Sequence, residues 1–463
     1  MKPNGKSIMF SRSLEKLKAN SEFFRSVSVL VTGTAFAQML MLLALPLLTR
    51  LYSPAEFSIL AIYISLLGVI SIAACLGFDM AVSLPEREED AINILSLAIF
   101  FACLVSLVVV VVLFLLSEYF FINNGLGTLL PFLWMLPVGV LLSASYSAIQ
   151  FYAVREKAFS DISKTRMAQS VVTISTQVGF GGAGITPFGL LFGQMLNGGS
   201  GAFYLWNRVI NKHHLVMISL QKMKKMFVEY RRFPQFTAFE MLTNSAGIQI
   251  PIIMIASLAA GPEAGFLILA MRVMQAPMGL IGGAIGQVYL SNAPNEYRQN
   301  NLAPFTENVI AGLLKTGIGP IIFAGIVAPP AFAIIFGIEW ERAGTLVAWM
   351  TPWFVFQFLA SPISMAMHVK NLQKLMLLIT FSGFILRVGV LLYASKFSLA
   401  YLSEYYAVSG GIFYFICFLI FSTYAGLTFP QLLSSFWKSG KYILGWVLLG
   451  MLIKSIASFL LQI

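Results

Sequence analysis

Charge is what this sequence has least of. Lys, Arg, Asp and Glu make up 11% of its 463 residues, where a soluble domain carries about 25%. Apolar residues make up 58%, and the mean hydropathy is +0.83. That balance excludes an ordinary water-soluble enzyme and points to lipid as the solvent. Apolar runs of roughly 20 residues, enough to cross a bilayer, recur along the whole chain. The alternating ten-residue segments of a β-barrel are missing. Only three cysteines are present, Cys75, Cys103 and Cys417, all inside apolar runs and at neither disulfide nor metal-ligand spacing. The three histidines, His213, His214 and His368, sit at or near expected loops without ligand spacing and read as solvated. No metal site and no cofactor is expected. There is no GxxxxGK[ST] phosphate loop, so ATP hydrolysis by that route is excluded. The first apolar run opens at Val27, exceeds 20 residues and is followed at once by another. A cleaved signal peptide has a shorter core, so the N-terminus is expected to be retained.

What is present is a series of spans. They read as 27–49, 57–77, 91–117, 129–150, 167–185, 187–207, 237–260, 264–290, 309–336, 343–367, 375–395 and 403–427, with a thirteenth candidate at 442–462. The basic residues orient them. Loops on the side of the N-terminus hold 23 Lys and Arg, the opposite loops hold only Arg50, Arg342 and Lys396, and four more fall inside spans. Basic residues gather in cytoplasmic loops, so the N-terminus is expected inside. The net charge of +11 is therefore an orientation signal. It does not indicate nucleic-acid binding, because the basic residues are not interleaved with stacking aromatics on a soluble face.

The first outward loop reads RLYSPAE, Arg50 to Glu56. Ser53, Pro54 and Glu56 have the layout of a capping box, which satisfies backbone donors where lipid offers none. Arg50 and Tyr52 are expected at headgroup depth. The stretch has an echo: SPAEFSILAIYI from Ser53 resembles GPEAGFLILAMRV from Gly261, with Phe57/Phe266, Leu60/Leu269 and Ala61/Ala270 each 209 residues apart. Two halves of six spans would be related by an axis along the membrane normal, with the substrate site between them. The expected organisation is a basic cytoplasmic segment 1–26, a six-span lobe 27–207, a basic connector 208–236, a second six-span lobe 237–427 and a hydrophobic segment 428–463. The connector carries Val216, Leu220, Met223, Phe227 and Tyr230 at helical spacing, with Lys222, Lys224 and Lys225 between them. It reads as an amphipathic helix on the inner leaflet, and Phe10, Leu14, Leu17 and Phe24 of the N-terminal segment follow the same pattern.

The stretch SVSVLVTGTAFAQMLMLLALPLLTRLYSPAEFSILAIYISLLGVISIAACLGFDMAV, above all LLTRLYSPAEFSILAIY and ACLGFDMAV, resembles the start of the polysaccharide-biosynthesis flippases. These are Wzx-type O-antigen transporters of the multidrug/oligosaccharidyl-lipid/polysaccharide exporter superfamily. The similarity covers roughly the first 90 residues, and Ser58 stands where the family often has glycine. It implies an all-α polytopic protein of the bacterial inner membrane that moves an undecaprenyl-pyrophosphate-linked oligosaccharide to the outer leaflet. The implied partners are that lipid-linked substrate, membrane lipid, H⁺ or Na⁺ as coupling ion and polysaccharide polymerase machinery. The motif is a hairpin, so it carries over no functional residue.

Candidate residues come from the charges inside spans, each costing about 2.5–3.5 kcal/mol at a helix centre unless it finds a cavity, a partner or the surface. Arg272 and Arg387 lie deep, Lys315 is shallow, and Lys454 is in the thirteenth segment. Arg272, Arg387 and Lys315 are expected to bind the substrate's phosphates, because guanidinium–phosphate bonds are strong and often bidentate. The alternative for the arginines is a structural ion pair, and for Lys315 snorkelling to the interface. The first half offers only Asp79 and polar residues such as Gln38 and Gln194. Glu240 and Asp79 are candidate ion-coupling carboxylates, with pairing or an interfacial position as the alternative. Nine glycines between Gly179 and Gly201 suggest close helix packing or a bending unit. Pro320, Pro329 and Pro330 are expected to kink or interrupt span nine. Two rival functions remain. A cation-coupled drug or metabolite antiporter would be expected to carry carboxylates in its spans. A membrane polymerase or ligase would need a large external loop, whereas the external loops read as about two to eleven residues.

Overall fold

A computed structural model describes residues 29–462, apart from 117, 211, 260 and 371, so the expected segment 1–26 lies outside the described residues. Regular structure among these residues is helical throughout. The long helices are α1 Val29–Leu51, α2 Pro54–Ala74, α3 Glu88–Leu115, α4 Met135–Arg155, α5 Phe159–Gly182 and α6 Phe188–Val209. After the connector come α7 Ala238–Leu258, α8 Glu263–Arg298, α9 Leu302–Phe336, α10 Glu341–Ile363, α11 Gln373–Ala394, α12 Leu402–Ala425 and α13 Phe429–Gln462. Among the described residues, 11 helices are long and apolar enough to cross a membrane, and the chain is a multi-pass membrane protein. The exceptions among these thirteen are α5 and α6, whose Gln, Ser, Thr and Gly content lowers their hydropathy.

Six-helix repetition appears in the packing. The pairs α2–α4, α3–α4, α4–α6 and α5–α6 recur as α8–α10, α9–α10, α10–α12 and α11–α12. The two copies of the hairpin meet each other. The Gly265 N–H donates to Ser58 Oγ (2.8 Å), and Phe57 and Phe266 both set their rings edge-on against Trp340, at 4.9 and 5.9 Å. Trp340 Nε1 donates to the Thr49 carbonyl (3.3 Å), and Arg50 Nη2 reaches the Ile334 carbonyl (3.5 Å). A Cβ on Gly265 would stand 2.0 Å from the Pro54 carbonyl oxygen, so the backbones of α2 and α8 approach as closely as glycine permits. Nearby, Arg342 donates to Glu404 (2.5 Å) and Glu263 (2.9 Å), tying together the first turns of α10, α12 and α8.

The bundles are joined at this hairpin end, and α7 also packs along α2 toward the connector end, where Ser245 Oγ donates to the Gly68 carbonyl (3.0 Å) and Gly77 lies against Phe233 and Ala238. One apolar core runs through the first bundle and continues into the hairpin-end halves of α8, α9 and α10. The connector-end half of the second bundle has its own core around Ile310, Phe358, Met367 and Phe418.

Several local expectations change. The capping box forms: Glu56 N–H donates to Ser53 Oγ (3.4 Å) and Ser53 N–H to Glu56 Oε2 (2.7 Å). Tyr52, expected at headgroup depth, is 2% exposed, packed against protein, and its hydroxyl donates to the Gln177 carbonyl (2.6 Å). Its ring fits against Gly181 and Gly189, where any Cβ would collide with it. Close packing therefore accounts for these two glycines of the glycine-rich pair α5–α6. The fourth span starts at Met135 rather than 129, because Pro131 and Gly127 belong to a 3₁₀ turn, Gly127–Phe132. This lengthens the preceding loop beyond the eleven residues expected. Helix α8 is 36 residues long, about 54 Å, and overshoots a bilayer core of about 30 Å. Helix α9 is not interrupted. A π-helical turn, Leu314–Ile318, immediately precedes Pro320 and absorbs its missing donor, and the helix continues through Pro329 and Pro330. In the connector, the helix Leu220–Glu229 packs on the start of α3, with Phe227 stacked near Phe78 and Phe101 and Lys222 paired with Glu89. Asn93 of α3 accepts from the Ser219 N–H (2.9 Å) and donates to the Met217 carbonyl (3.0 Å). Val216 and Leu220 are exposed. His214 is buried and bonded to Glu88 (2.6 Å) rather than solvated, and His368 is exposed.

Gly265→Ala should lower thermal stability by about 1–3 kcal/mol through overpacking. Gly179→Ala, with open space around its Cβ position, should be neutral or raise stability by up to about 1 kcal/mol. Thermal melts of the purified variants check the pair.

Candidate functional site

Between the two bundles lies a cavity of about 1010 Å³. Helices α1, α5 and α6 line one side of it, and α7, α8 and α10 the other. Its wall is amphipathic along α1: Thr34 and Gln38 come first, then Met41, Leu42, Leu45 and Leu48 toward the hairpin end. Drug-sized ligand sites occupy about 300–1,000 Å³, so this chamber takes something at or above that range.

Two arginines reach it, one from each bundle. Arg272 is nine residues into α8, about 13 Å from the hairpin end. It forms no ion pair among those described. Arg166 is the residue the sequence alone does not point to, because residues 151–166 read as a loop. Helix α5 begins eight residues earlier than expected, at Phe159, and so takes Arg166 into the chamber, where Nη1 donates to Thr34 Oγ1 (2.7 Å). A signal for this existed. Arg166, Gln169, Ser170, Thr173 and Gln177 follow helical spacing and form a polar stripe along an otherwise bilayer-length segment.

Glutamine is the other feature of the lining. Gln38, Gln169 and Gln194 from the first bundle face Gln249, Gln275 and Gln357 from the second. The buried Oε1 atoms of Gln38 and Gln357 lack a hydrogen-bond partner. No Asp or Glu is among the described residues that line the chamber. The arrangement supplies two fixed cations and a set of amide donors and acceptors, which suits an anionic group attached to a hydroxyl-rich one.

The remaining sequence candidates are not brought together here. Arg387 is 5% exposed and lines a separate cavity of about 190 Å³ inside the second bundle, which shares Ile248, Gln357 and Ser361 with the chamber wall. Lys315 is exposed in the π-turn of α9 and lines neither cavity. Glu240 is exposed at the start of α7 and also lines neither. Asp79 is 2% exposed, in the short turn Phe78–Ala81 after α2. Its Oδ2 accepts from Ser147 (2.8 Å), and its Oδ1 has no hydrogen-bond partner. It too lines neither cavity. No group of three or more His, Cys, Asp or Glu that could hold a metal occurs among the described residues.

Residues 47–344, from the α1–α2 hairpin to the start of α10, match the family model described as polysaccharide biosynthesis protein. The chain belongs to that family. No curated protein matches it by sequence. Solved structures share the fold of this chain. The lipid II flippase MurJ in an inward closed conformation aligns with a TM-score of 0.67 at 15% identity, over 93% of this chain and 98% of that one. A MOP superfamily transporter from Pyrococcus furiosus, described as having a binding pocket of reversed polarity, aligns at 0.57 and 13% identity, over 87% and 96%. An inward-facing multidrug resistance MATE family transporter of the MOP superfamily aligns at 0.56 and 11%, over 84% and 94%. One is a flippase and two are transporters; none is an enzyme. At these identities the likeness establishes the fold, and the family match adds the polysaccharide context.

Chamber access has a direct check. With the three native cysteines replaced by serine, Gln275→Cys should react with a polar methanethiosulfonate at least about tenfold faster than Gln177→Cys, which is buried between helices. Mass spectrometry of the labelled protein reads the difference.

Proposed function

We propose that this protein flips an undecaprenyl-pyrophosphate-linked oligosaccharide, an O-antigen or similar surface-polysaccharide unit, across the bacterial inner membrane by alternating access. The observation that carries this reading is the chamber with Arg166 and Arg272 contributed by opposite bundles and no lining carboxylate. A pyrophosphate brings two linked anionic groups, and guanidinium donors bind phosphate oxygens strongly inside a low-dielectric wall. The glutamines offer paired donors and acceptors to sugar hydroxyls. For the phosphates this reading uses Arg272 and adds Arg166, and it leaves out Arg387 and Lys315, which do not line the chamber.

The basic-residue bias survives the transfer of Arg166 into α5 and puts the connector end in the cytoplasm. The shared apolar core and the Trp340 layer then form the barrier on the far side, and the cargo enters from the cytoplasmic face. Flipping requires that layer to part while the connector ends close. With no phosphate loop in the sequence, an ion gradient is the proposed drive. Asp79, a buried carboxylate whose one oxygen is unpartnered, is better placed than the exposed Glu240 to carry H⁺. A polysaccharide polymerase is the expected consumer of the flipped unit. The alternative of a drug antiporter for cationic compounds is disfavoured by the two lining arginines and the lack of a lining carboxylate.

Complementation of a flippase-null strain tests the reading. Arg166→Ala and Arg272→Ala should each reduce surface glycan, and the double variant should abolish it. Each lost charged contact is worth about 1.5–3 kcal/mol, or tenfold or more in affinity. Lys315→Ala should complement fully. Wild-type glycan from the double variant, at equal membrane abundance, would refute the proposal.

A further inference from the structure

Arg387 is a buried cation without a counter-charge. Its Nη1 donates to the Gly247 carbonyl of α7 (3.3 Å). The rings of Phe413, Trp353 and Tyr414 surround it, with centroids 4.7, 5.4 and 5.6 Å from the guanidinium carbon. Aromatic faces attract a cation but do not neutralise it, and they take none of its in-plane hydrogens. The Tyr414 hydroxyl beside it also accepts a hydrogen bond from the guanidinium. The two nitrogens that remain without a hydrogen-bond acceptor are Nε and Nη2, which form one edge of the guanidinium plane. Two parallel N–H groups on one edge are the fork with which arginine takes an anion.

The cavity around it, about 190 Å³, holds no acidic residue and no second cation among its described lining. Its polar wall includes Asn244, Ser361, Ser364 and Thr380, which bring amide and hydroxyl groups. A charge left unpaired in such a site is costly, so the geometry needs a negative partner of small size.

We infer that the Arg387 cavity is an anion site, separate from the cargo chamber, that binds a small monovalent anion of the chloride class on the Nε–Nη2 edge. The occupant neutralises the second bundle's buried charge and fixes the junction of α7, α11 and α12. Helix α7 also supplies Ile248 and Gln249 to the chamber wall, so occupancy bears on the chamber's shape.

The test compares full-length protein in sodium chloride and in sodium gluconate at equal ionic strength. Chloride should raise the melting temperature of the wild type saturably, by about 2 °C or more. Arg387→Gln should lose that gain, whereas Arg272→Gln, altered in the chamber, should keep it. No chloride gain in the wild type, or an undiminished gain in Arg387→Gln, overturns the inference. Should Arg387→Gln fail to fold, wild-type crystals soaked in bromide decide the matter. An anomalous peak beside Arg387 supports the site, and peaks confined to Arg166 and Arg272 refute it.

Discussion

A guanidinium keeps its charge wherever the chain puts it, and hydrocarbon cannot solvate it. Every arginine inside the bundles therefore needs water, an acceptor or an anion, and the architecture can be followed through how each is provided for. Arg342 has two carboxylates and serves as a tie at the hairpin end. Arg166 has a threonine hydroxyl and the chamber, and Arg272 has the chamber. Arg387 has a carbonyl, three rings and a small cavity. The first is structurally complete; the others are open in a graded way, and the openness is where ligand chemistry can occur.

The packing closes the two bundles together at one end of the chamber. At the hairpin end the bundles share one core, with Trp340 between the two related phenylalanines and glycine at the closest backbone approach. At the connector end the second bundle has a core of its own. Any relative movement of the bundles has to open the core they share at the hairpin end, and packed cores switch between arrangements rather than deform continuously. The hairpin from Tyr52 to Glu56 thus joins the two bundles and lines no part of the chamber.

How much could be read from the residues alone follows from which forces are local. Hydropathy located the spans and the capping box located the hairpin, because both depend on neighbours in sequence. The 209-residue echo pointed to two halves, and its copies do meet. Arg166 was misplaced because Asp161 and Lys164 made the first turns of α5 look like loop, although helical spacing of the polar residues beyond them marked a wet face. Tyr52 was read as an interfacial anchor because its partners, Gln177, Gly181 and Gly189, lie more than 120 residues away. Arg272 and Arg387 seemed equivalent since depth in a span says nothing of azimuth; only the fold separates a chamber-facing residue from one enclosed within a bundle. Lys315 is near enough to a span end for either a chamber or an interfacial position, and the fold leaves it exposed and outside both cavities.

The central claim is that Arg166 and Arg272 together hold a phosphorylated cargo in the chamber. Equilibrium binding of undecaprenyl pyrophosphate to the protein in nanodiscs measures this without reliance on transport. The account predicts saturable binding, weakened by added inorganic pyrophosphate and reduced about tenfold or more in each of Arg166→Gln and Arg272→Gln. Equal affinity in the wild type and the double variant would contradict it.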